Sequence, residues 1–115
     1  MSDKNNVLQE QAAAPELNSK QKKYLKGLAH ALPVGVQIGK ENLTAQVIEA
    51  IKIELERHEL IKIRIGQNSG LDKHSASEQI PVATQSSFVQ LIGKTVIVYK
   101  ENKQLPKDKR IKLPR

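Results

Sequence analysis

The chain of 115 residues lacks cysteine and tryptophan, and its only aromatic residues are two tyrosines and one phenylalanine. Without cysteine it has no disulfide, no thiolate metal ligand and no cysteine nucleophile, and its composition suits a reducing compartment. The longest unbroken apolar run, Val96 to Tyr99, is too short to span a bilayer. No basic start followed by an apolar stretch opens the sequence, so no secretory signal is predicted. We therefore expect a cytoplasmic protein without a membrane partner.

Acidic residues are also scarce, and the excess positive charge lies away from the N-terminus. The net charge of +7 divides into −2 over residues 1–17, which hold three acidic groups and one lysine, and +9 over the remainder. The final sixteen residues alone hold seven basic and two acidic groups. Such asymmetry favours a polyanionic partner. The alternative is a set of solvated lysines without a common partner.

The length fits one small domain with two tails. Residues 1–17 are polar and alanine-rich without an apolar period, which predicts a disordered acidic leader. Residues 18–100 carry the periodic segments and form the predicted domain. Residues 101–115 are basic, contain two prolines and are predicted to be a C-terminal tail.

The first helix is predicted to begin at Asn18 or Ser19, either of which can cap it, and to end before Pro33. An apolar stripe at helical spacing is expected to face the core, and the cost of glycine at position 27 is tolerable if another backbone packs closely there. The stripe consists of Tyr24, Leu25, Leu28 and Leu32.

Two further helices follow. The second is predicted from Leu43 or Thr44 to His58, because its apolar residues fall on one face. The third lies within residues 71–86, where Ser75 is a candidate start. Pro81 would then fall near the first or second turn, so a short, late-starting or kinked helix is expected.

Four strands complete the pattern. Residues 34–38 form the first, and the strict alternation over 60–65 predicts a second with isoleucines facing the core. Residues 88–92 and 95–100 flank Gly93-Lys94 and predict an antiparallel hairpin. The order helix, strand, helix, strand, helix, strand, strand indicates an α/β sandwich with helices packed on a four-stranded mixed sheet, in which the first two strands are parallel.

Several separate segments resemble, in register, the CRM domain (chloroplast RNA splicing and ribosome maturation), whose stand-alone bacterial form is the YhbY family. Residues 21–30 resemble its opening helix, 38–44 its loop, 58–63 its second strand, 90–99 its closing hairpin and 111–114 its usual ending. The resemblance covers about residues 18–115. It implies an RNA-binding domain with a fold like the C-terminal domain of a bacterial translation initiation factor. It also implies association with precursors of the large ribosomal subunit.

The loop departs from the family pattern, which usually reads Gly-x-x-Gly and in KH domains clamps a nucleic-acid backbone. Here it reads Gly39-Lys40-Glu41-Asn42. Asparagine is the non-glycine residue that best tolerates a left-handed conformation, and it can also cap the next helix. The loop shape is therefore expected to survive, while Glu41 places a negative charge beside the phosphate site.

The candidate RNA-contacting residues lie in four segments. The loop offers a helix N-terminus to a phosphate, although an ordinary strand-to-helix turn would look the same. The lysines of the first helix, the hairpin turn and the tail extend a basic surface, and each could instead be solvated or, in the tail, fold back on Ile111 and Leu113. The candidates are Lys22, Lys23, Lys26, Gly39, Lys40, Asn42, Lys94, Lys109 and Arg110.

Other residues are expected to contribute less. Lys62 and Arg64 alternate with the core isoleucines and are expected to lie under a helix with only their tips exposed. Tyr24 and Phe88 are assigned to the core, and Tyr99 is the aromatic expected to be partly exposed. Aromatics are therefore too few for a stacking platform, and recognition is expected to rest on phosphates and RNA shape.

An enzyme is not predicted. The three histidines are scattered, no metal-ligand spacing or nucleophile motif is present, and Glu54, Glu56 and Glu59 are interpreted as exposed helix charges. No cofactor, catalytic residue, metal site or small-molecule substrate is expected. The sequence indicates a monomeric RNA-binding ribosome-assembly factor whose partner is ribosomal RNA of the large-subunit precursor. The alternatives are a module that docks on a ribosomal protein or another acidic partner, and a nonspecific DNA binder.

Overall fold

A computed structural model describes residues 16–115. The predicted leader lies outside the described residues except for Glu16 and Leu17, and Leu17 is buried against the side chains that pack under the first helix. The helices are α1 (Ser19–Ala29), α2 (Ala45–His58) and α3 (Lys73–Thr84). The strands are β1 (Val36–Ile38), β2 (Leu60–Ile65), β3 (Ser87–Ile92) and β4 (Thr95–Tyr99). A short 3-10 turn covers Lys107–Lys109.

The sheet has the strand order β1-β2-β4-β3. β1 pairs parallel to β2 through α2, whereas β4 is antiparallel to both β2 and β3. The predicted mixed sheet and hairpin are therefore confirmed. Gly93 takes φ 57° in the hairpin turn, a left-handed conformation that glycine adopts without strain.

Helix packing covers both faces of the sheet. On one face, the isoleucines of β2 and the valines of β4 pack with residues of α2 and α3, such as Ile51 and Ile80. On the other face, Leu25 and Ala29 of α1 pack on Leu60, Ile97 and other residues of that face. Strict alternation along β2 produces these two faces, because successive side chains point to opposite sides of a strand.

The ends of α1 and α2 follow from their capping residues. Asn18 and Gln21 form a capping box, in which each side chain accepts a hydrogen bond from the other's backbone N–H. α1 ends at Ala29, earlier than the predicted Leu32. The Thr44 hydroxyl accepts from the Val47 N–H and caps α2, as the start at Leu43 or Thr44 required.

The third helix is longer than predicted. It begins at Lys73, before the expected Ser75, because the Asp72 carboxylate accepts from the N–H groups of His74 and Ser75. The Ser75 hydrogen bond is also the main reason why the pKa of Asp72 is lowered. Pro81 lies well inside the helix, not in its first turns. Complete burial of Ala76 and Ile80 in the core offsets the hydrogen bond that proline cannot donate.

The C-terminal segment is docked on the domain, which agrees with the alternative that the tail folds back through Ile111 and Leu113. Ile111 and Leu113 pack on the α1 side of the sheet, and the Gln21 side chain donates to the Pro114 carbonyl. The anchor is Glu59, which is fully buried and was wrongly interpreted as an exposed helix charge. Its carboxylate accepts from the backbone N–H groups of Asn102 (2.7 Å) and Ile111 (2.6 Å).

Two aromatic assignments are wrong as well. Tyr24 is 42% exposed on the solvent side of α1, whereas Tyr99 is buried. Burial, together with the negative charge of Glu59, raises the pKa of Tyr99 to about 12. Phe88 is partly buried against the α2 and α3 side of the core, in line with its assignment.

Candidate nucleic-acid interface

The loop after β1 is a tight turn with a left-handed residue at its end. The Asn42 N–H donates to the Gly39 carbonyl at 3.1 Å, and Asn42 has φ 63°. The expected left-handed conformation is thus confirmed at the position where the family usually has its second glycine. Asn42 does not cap α2, because Thr44 does so.

The Asn42 side chain joins two loops instead. Its Oδ1 accepts from the Ser69 hydroxyl at 2.7 Å and from the Gly70 N–H at 3.1 Å. The Ser69 hydroxyl in turn accepts from the Leu71 N–H. A glycine at position 42 could make none of these side-chain contacts, so asparagine fixes the loop in a way the usual residue cannot.

Gly39 is not explained by local geometry. It has no left-handed φ, and a Cβ built on it would meet no heavy atom within 4 Å. Neither backbone strain nor packing requires glycine there. The surface over Gly39 is therefore open to the close approach of a ligand, beside the exposed side chains of Lys40 and Glu41.

Two hydrogen bonds place the loop and the hairpin turn at one end of the sheet. The Gly66 N–H donates to the Ile38 carbonyl, and the Ile65 N–H donates to the Lys94 carbonyl, each at 2.8 Å. Since neighbouring strands lie about 4.8 Å apart, the turn at Lys94 is only two strands from the loop. We call this end of the sheet, with Gly39, Lys40, Asn42 and Lys94, the loop edge.

Arg64 extends the loop edge, and Lys62 does not. Arg64 is exposed and pairs in register with Gln37 and Thr95, next to the ends of β1 and β2. The Lys62 ammonium instead donates to the carbonyls of Ala29 (3.0 Å), the last residue of α1, and Leu32 (2.9 Å), just beyond it. The alternation along β2 predicted the same environment for both side chains, under a helix, because it could not show where α1 ends.

The lysines of α1 differ in exposure. Lys23 is exposed, whereas Lys22 and Lys26 are half-buried on the flank of the helix. Lys20, which was not among the candidates, is also exposed. α1 contains no acidic residue, so nothing on its own surface neutralises these lysines.

The structure does not bring the tail candidates to the loop edge. β4 runs from Thr95 at the loop edge to Tyr99 at the other end, roughly 14 Å away at 3.4 Å per residue. The tail is held at that far end by Glu59. Lys109 is exposed there, and Arg110 forms an ion pair with Glu101 at 3.1 Å.

A cleft lies at this far end, between the start of α1, the end of β4 and the docked tail. Its lining includes Tyr99, Lys100, Arg110 and Lys112. Within residues 16–115, no three histidine or acidic side chains lie together as metal ligands would, and no helix has the length and apolar character of a membrane span.

The geometry thus defines a class of protein: an α/β domain with a four-stranded mixed sheet, which presents a glycine-lysine loop and exposed basic side chains at one edge. The model of the CRS1 / YhbY (CRM) domain family matches residues 17–100, and the chain belongs to that family.

Its relatives are named as RNA-binding proteins, not as enzymes. The chain is 39% identical over 98 residues to the Probable RNA-binding protein YqeI of Bacillus subtilis, which covers 85% of this chain and 99% of the relative. It is 35% identical over 99 residues to an RNA-binding protein of Haemophilus influenzae, over 86% of this chain and 96% of the relative.

A solved structure agrees with the fold. The solution structure of a Staphylococcus aureus protein, described as a proposed RNA-binding protein, superposes with a TM-score of 0.70 at 40% identity. The match covers 85% of this chain and 99% of that protein.

Proposed function

We propose that this protein binds RNA and acts as a cytoplasmic ribosome-assembly factor, with ribosomal RNA of the large-subunit precursor as its partner. The observation that carries the proposal is the loop edge. An open glycine and an adjacent lysine lie in the loop that leads into α2, and a second basic turn lies two strands away at the same end of the sheet. Helix N-termini bind phosphates through free N–H groups and a partial positive charge.

The loop edge suits the backbone of a structured RNA better than an isolated anion. Lys40, Lys94 and Arg64 lie on three different strands or turns, so a rigid ligand must span them to contact all three. Consecutive phosphates of a folded RNA offer that span, and Glu41 disfavours a small anion that would sit wholly within the loop. RNA association of the relatives, as their names state it, points the same way.

The first test compares two double variants of equal net charge. In one, Lys40→Gln and Lys94→Gln alter the loop edge. In the other, Lys52→Gln and Lys103→Gln remove exposed lysines from α2 and from the segment after β4. Binding to fragments of large-subunit ribosomal RNA is measured over a range of salt concentrations.

The loop-edge variant is expected to bind more weakly, with a salt slope reduced by about one unit per lost phosphate contact. The control should keep the slope of the unaltered chain. Equal slopes for both variants would remove the loop edge from the interface.

The assembly role is tested in cell lysate on a low-salt sucrose gradient, with and without ribonuclease. The protein should migrate with particles near the large subunit and be released by salt or ribonuclease. Binding that survives ribonuclease would favour docking on a ribosomal protein, and a protein that stays at the top of the gradient would contradict the assembly role.

A further inference from the structure

Tyr24 is an aromatic side chain that the core does not use. It lies on α1 with 42% of its surface exposed, while Phe88 and Tyr99 are covered to a greater extent. Its removal from solvent would be favourable, and a planar ring on a helix surface is a platform on which another ring can stack.

Gly27 lies one turn after Tyr24 on the same side of α1, because residues three apart are neighbours on a helix surface. Glycine weakens a helix relative to alanine, and the expected packing reason is missing: a Cβ at Gly27 would meet no heavy atom within 4 Å. The glycine therefore leaves a bare stretch of helix surface next to Tyr24 that no part of the described chain fills.

Two exposed lysines flank the same stretch. Lys20 lies one turn before Tyr24, and Lys23 lies one turn before Gly27. With no acidic residue on α1, this surface combines an accessible ring, an unobstructed approach and two ammonium groups. Bases stack on aromatic side chains while lysines contact the adjoining phosphates in many single-stranded nucleic-acid complexes. A protein partner would also need acidic groups at both lysines, whereas a nucleotide carries them by nature.

We propose that α1 binds an unpaired nucleotide of the RNA, with its base stacked on Tyr24 across Gly27 and its neighbouring phosphates at Lys20 and Lys23. This inference rests on the proposed RNA binding and adds a preference for RNA with unpaired bases. A fully paired duplex can contact the lysines but cannot present a free base to the ring.

The test uses two RNAs that share one stem sequence: a stem-loop with an adenine-rich loop and a blunt duplex. Affinities are measured for the unaltered chain, Tyr24→Ala and Tyr24→Phe. Val82→Ala is the matched control, because Val82 is an exposed apolar residue of α3 on the opposite side of the sheet. Thermal unfolding of each variant checks the fold.

Tyr24→Ala should bind the stem-loop at least about fivefold more weakly and the duplex with unchanged affinity, at an unchanged salt slope because the ring carries no charge. Tyr24→Phe and Val82→Ala should behave as the unaltered chain. Equal binding of the stem-loop by Tyr24→Ala and the unaltered chain would overturn the inference while leaving RNA binding intact. Failure of the unaltered chain to bind either RNA would overturn both.

A second readout does not depend on affinity. Tyr24→Trp introduces a tryptophan into a chain that has none. Its emission should be quenched by the stem-loop and left nearly unchanged by the duplex. Quenching of equal size by both RNAs would contradict stacking on an unpaired base.

Discussion

Lys62 and Arg64 are two basic residues of one strand whose substitution is expected to have different effects, on stability for Lys62 and on RNA affinity for Arg64. The Lys62 ammonium donates to one carbonyl at the C-terminus of α1 and to another just beyond it, whereas Arg64 is exposed at the loop edge. The perturbation is Lys62→Met or Arg64→Met, since methionine keeps an unbranched apolar stem and removes the charge.

The expected loss of stability for Lys62→Met follows from the two hydrogen bonds of 3.0 and 2.9 Å. A charged donor typically contributes about 1.5–3 kcal/mol, and a cation at a helix C-terminus adds roughly 0.3–1 kcal/mol. Because Lys62 is only half-buried, water can replace part of both contributions. We therefore expect a decrease of about 2 kcal/mol in the free energy of unfolding, or on the order of 10 °C in Tm.

Arg64→Met is expected to change the free energy of unfolding by less than about 0.5 kcal/mol, because the exposed Arg64 side chain forms no hydrogen bond or ion pair with residues 16–115. Its RNA affinity should fall, and the salt slope should decrease by about one unit. Urea unfolding and salt-dependent RNA titration measure the two quantities on the same samples.

The two variants serve as controls for each other. A Lys62→Met protein with lowered salt slope and unchanged stability would refute the assignment of Lys62 to the α1 terminus. An Arg64→Met protein with an unchanged salt slope would remove Arg64 from the proposed interface.

Four further predictions concern stability. Gly27→Ala should raise the free energy of unfolding by about 0.5–1 kcal/mol, since its Cβ meets nothing; destabilisation in urea would contradict the open surface. Glu59→Gln should lower the free energy of unfolding by about 2–4 kcal/mol and expose the tail to proteolysis. The reason is that the amide nitrogen of glutamine cannot accept, so one of the two backbone N–H groups that donate to Glu59 loses its acceptor. Asn42→Ala should lower the free energy of unfolding by about 1.5–3 kcal/mol, because it removes the two side-chain hydrogen bonds and keeps the left-handed strain. Asn42→Gly should lose less, because glycine relieves that strain, and equal losses in the two variants would refute that reasoning. The free energy of unfolding should fall as pH rises from 10 to 12, because the pKa of Tyr99 is raised on folding and the unfolded state releases its proton first. Base titration followed by circular dichroism measures this loss, and Tyr99→Phe should remove the part of the pH dependence that Tyr99 causes.

The sequence predicted the sheet well because its signals are local and repeated. Strict alternation over β2 determines which side chains face which layer of helices. Gly93 has φ 57° in the hairpin turn, a conformation that few residues other than glycine favour. The third helix was predicted less well. Its start depends on the Asp72 cap, and Pro81 is tolerated only because Ile80 is buried by residues from distant parts of the chain.

The misassigned side chains share one physical cause: their partners are remote in sequence. Glu59 is buried because N–H groups 43 and 52 positions later donate to it. Lys62 is withdrawn from solvent by carbonyls 30 and 33 positions earlier. A charged residue next to a helix end or within an alternating strand looks solvated until those partners are known.

Asn42 decides how the loop edge should be understood. A glycine at this position would adopt the same turn with more freedom, and ligand binding would then have to restrict that freedom. Asn42 keeps the left-handed turn and ties it to Ser69 and Gly70 before any ligand is present. The loop can therefore lose the second glycine of the family pattern without losing its shape. The hydrogen bonds of the asparagine side chain already restrict the loop conformation, whereas a glycine loop would be restricted only when a ligand binds. Gly39 has no such substitute, since what it contributes is the absence of a side chain.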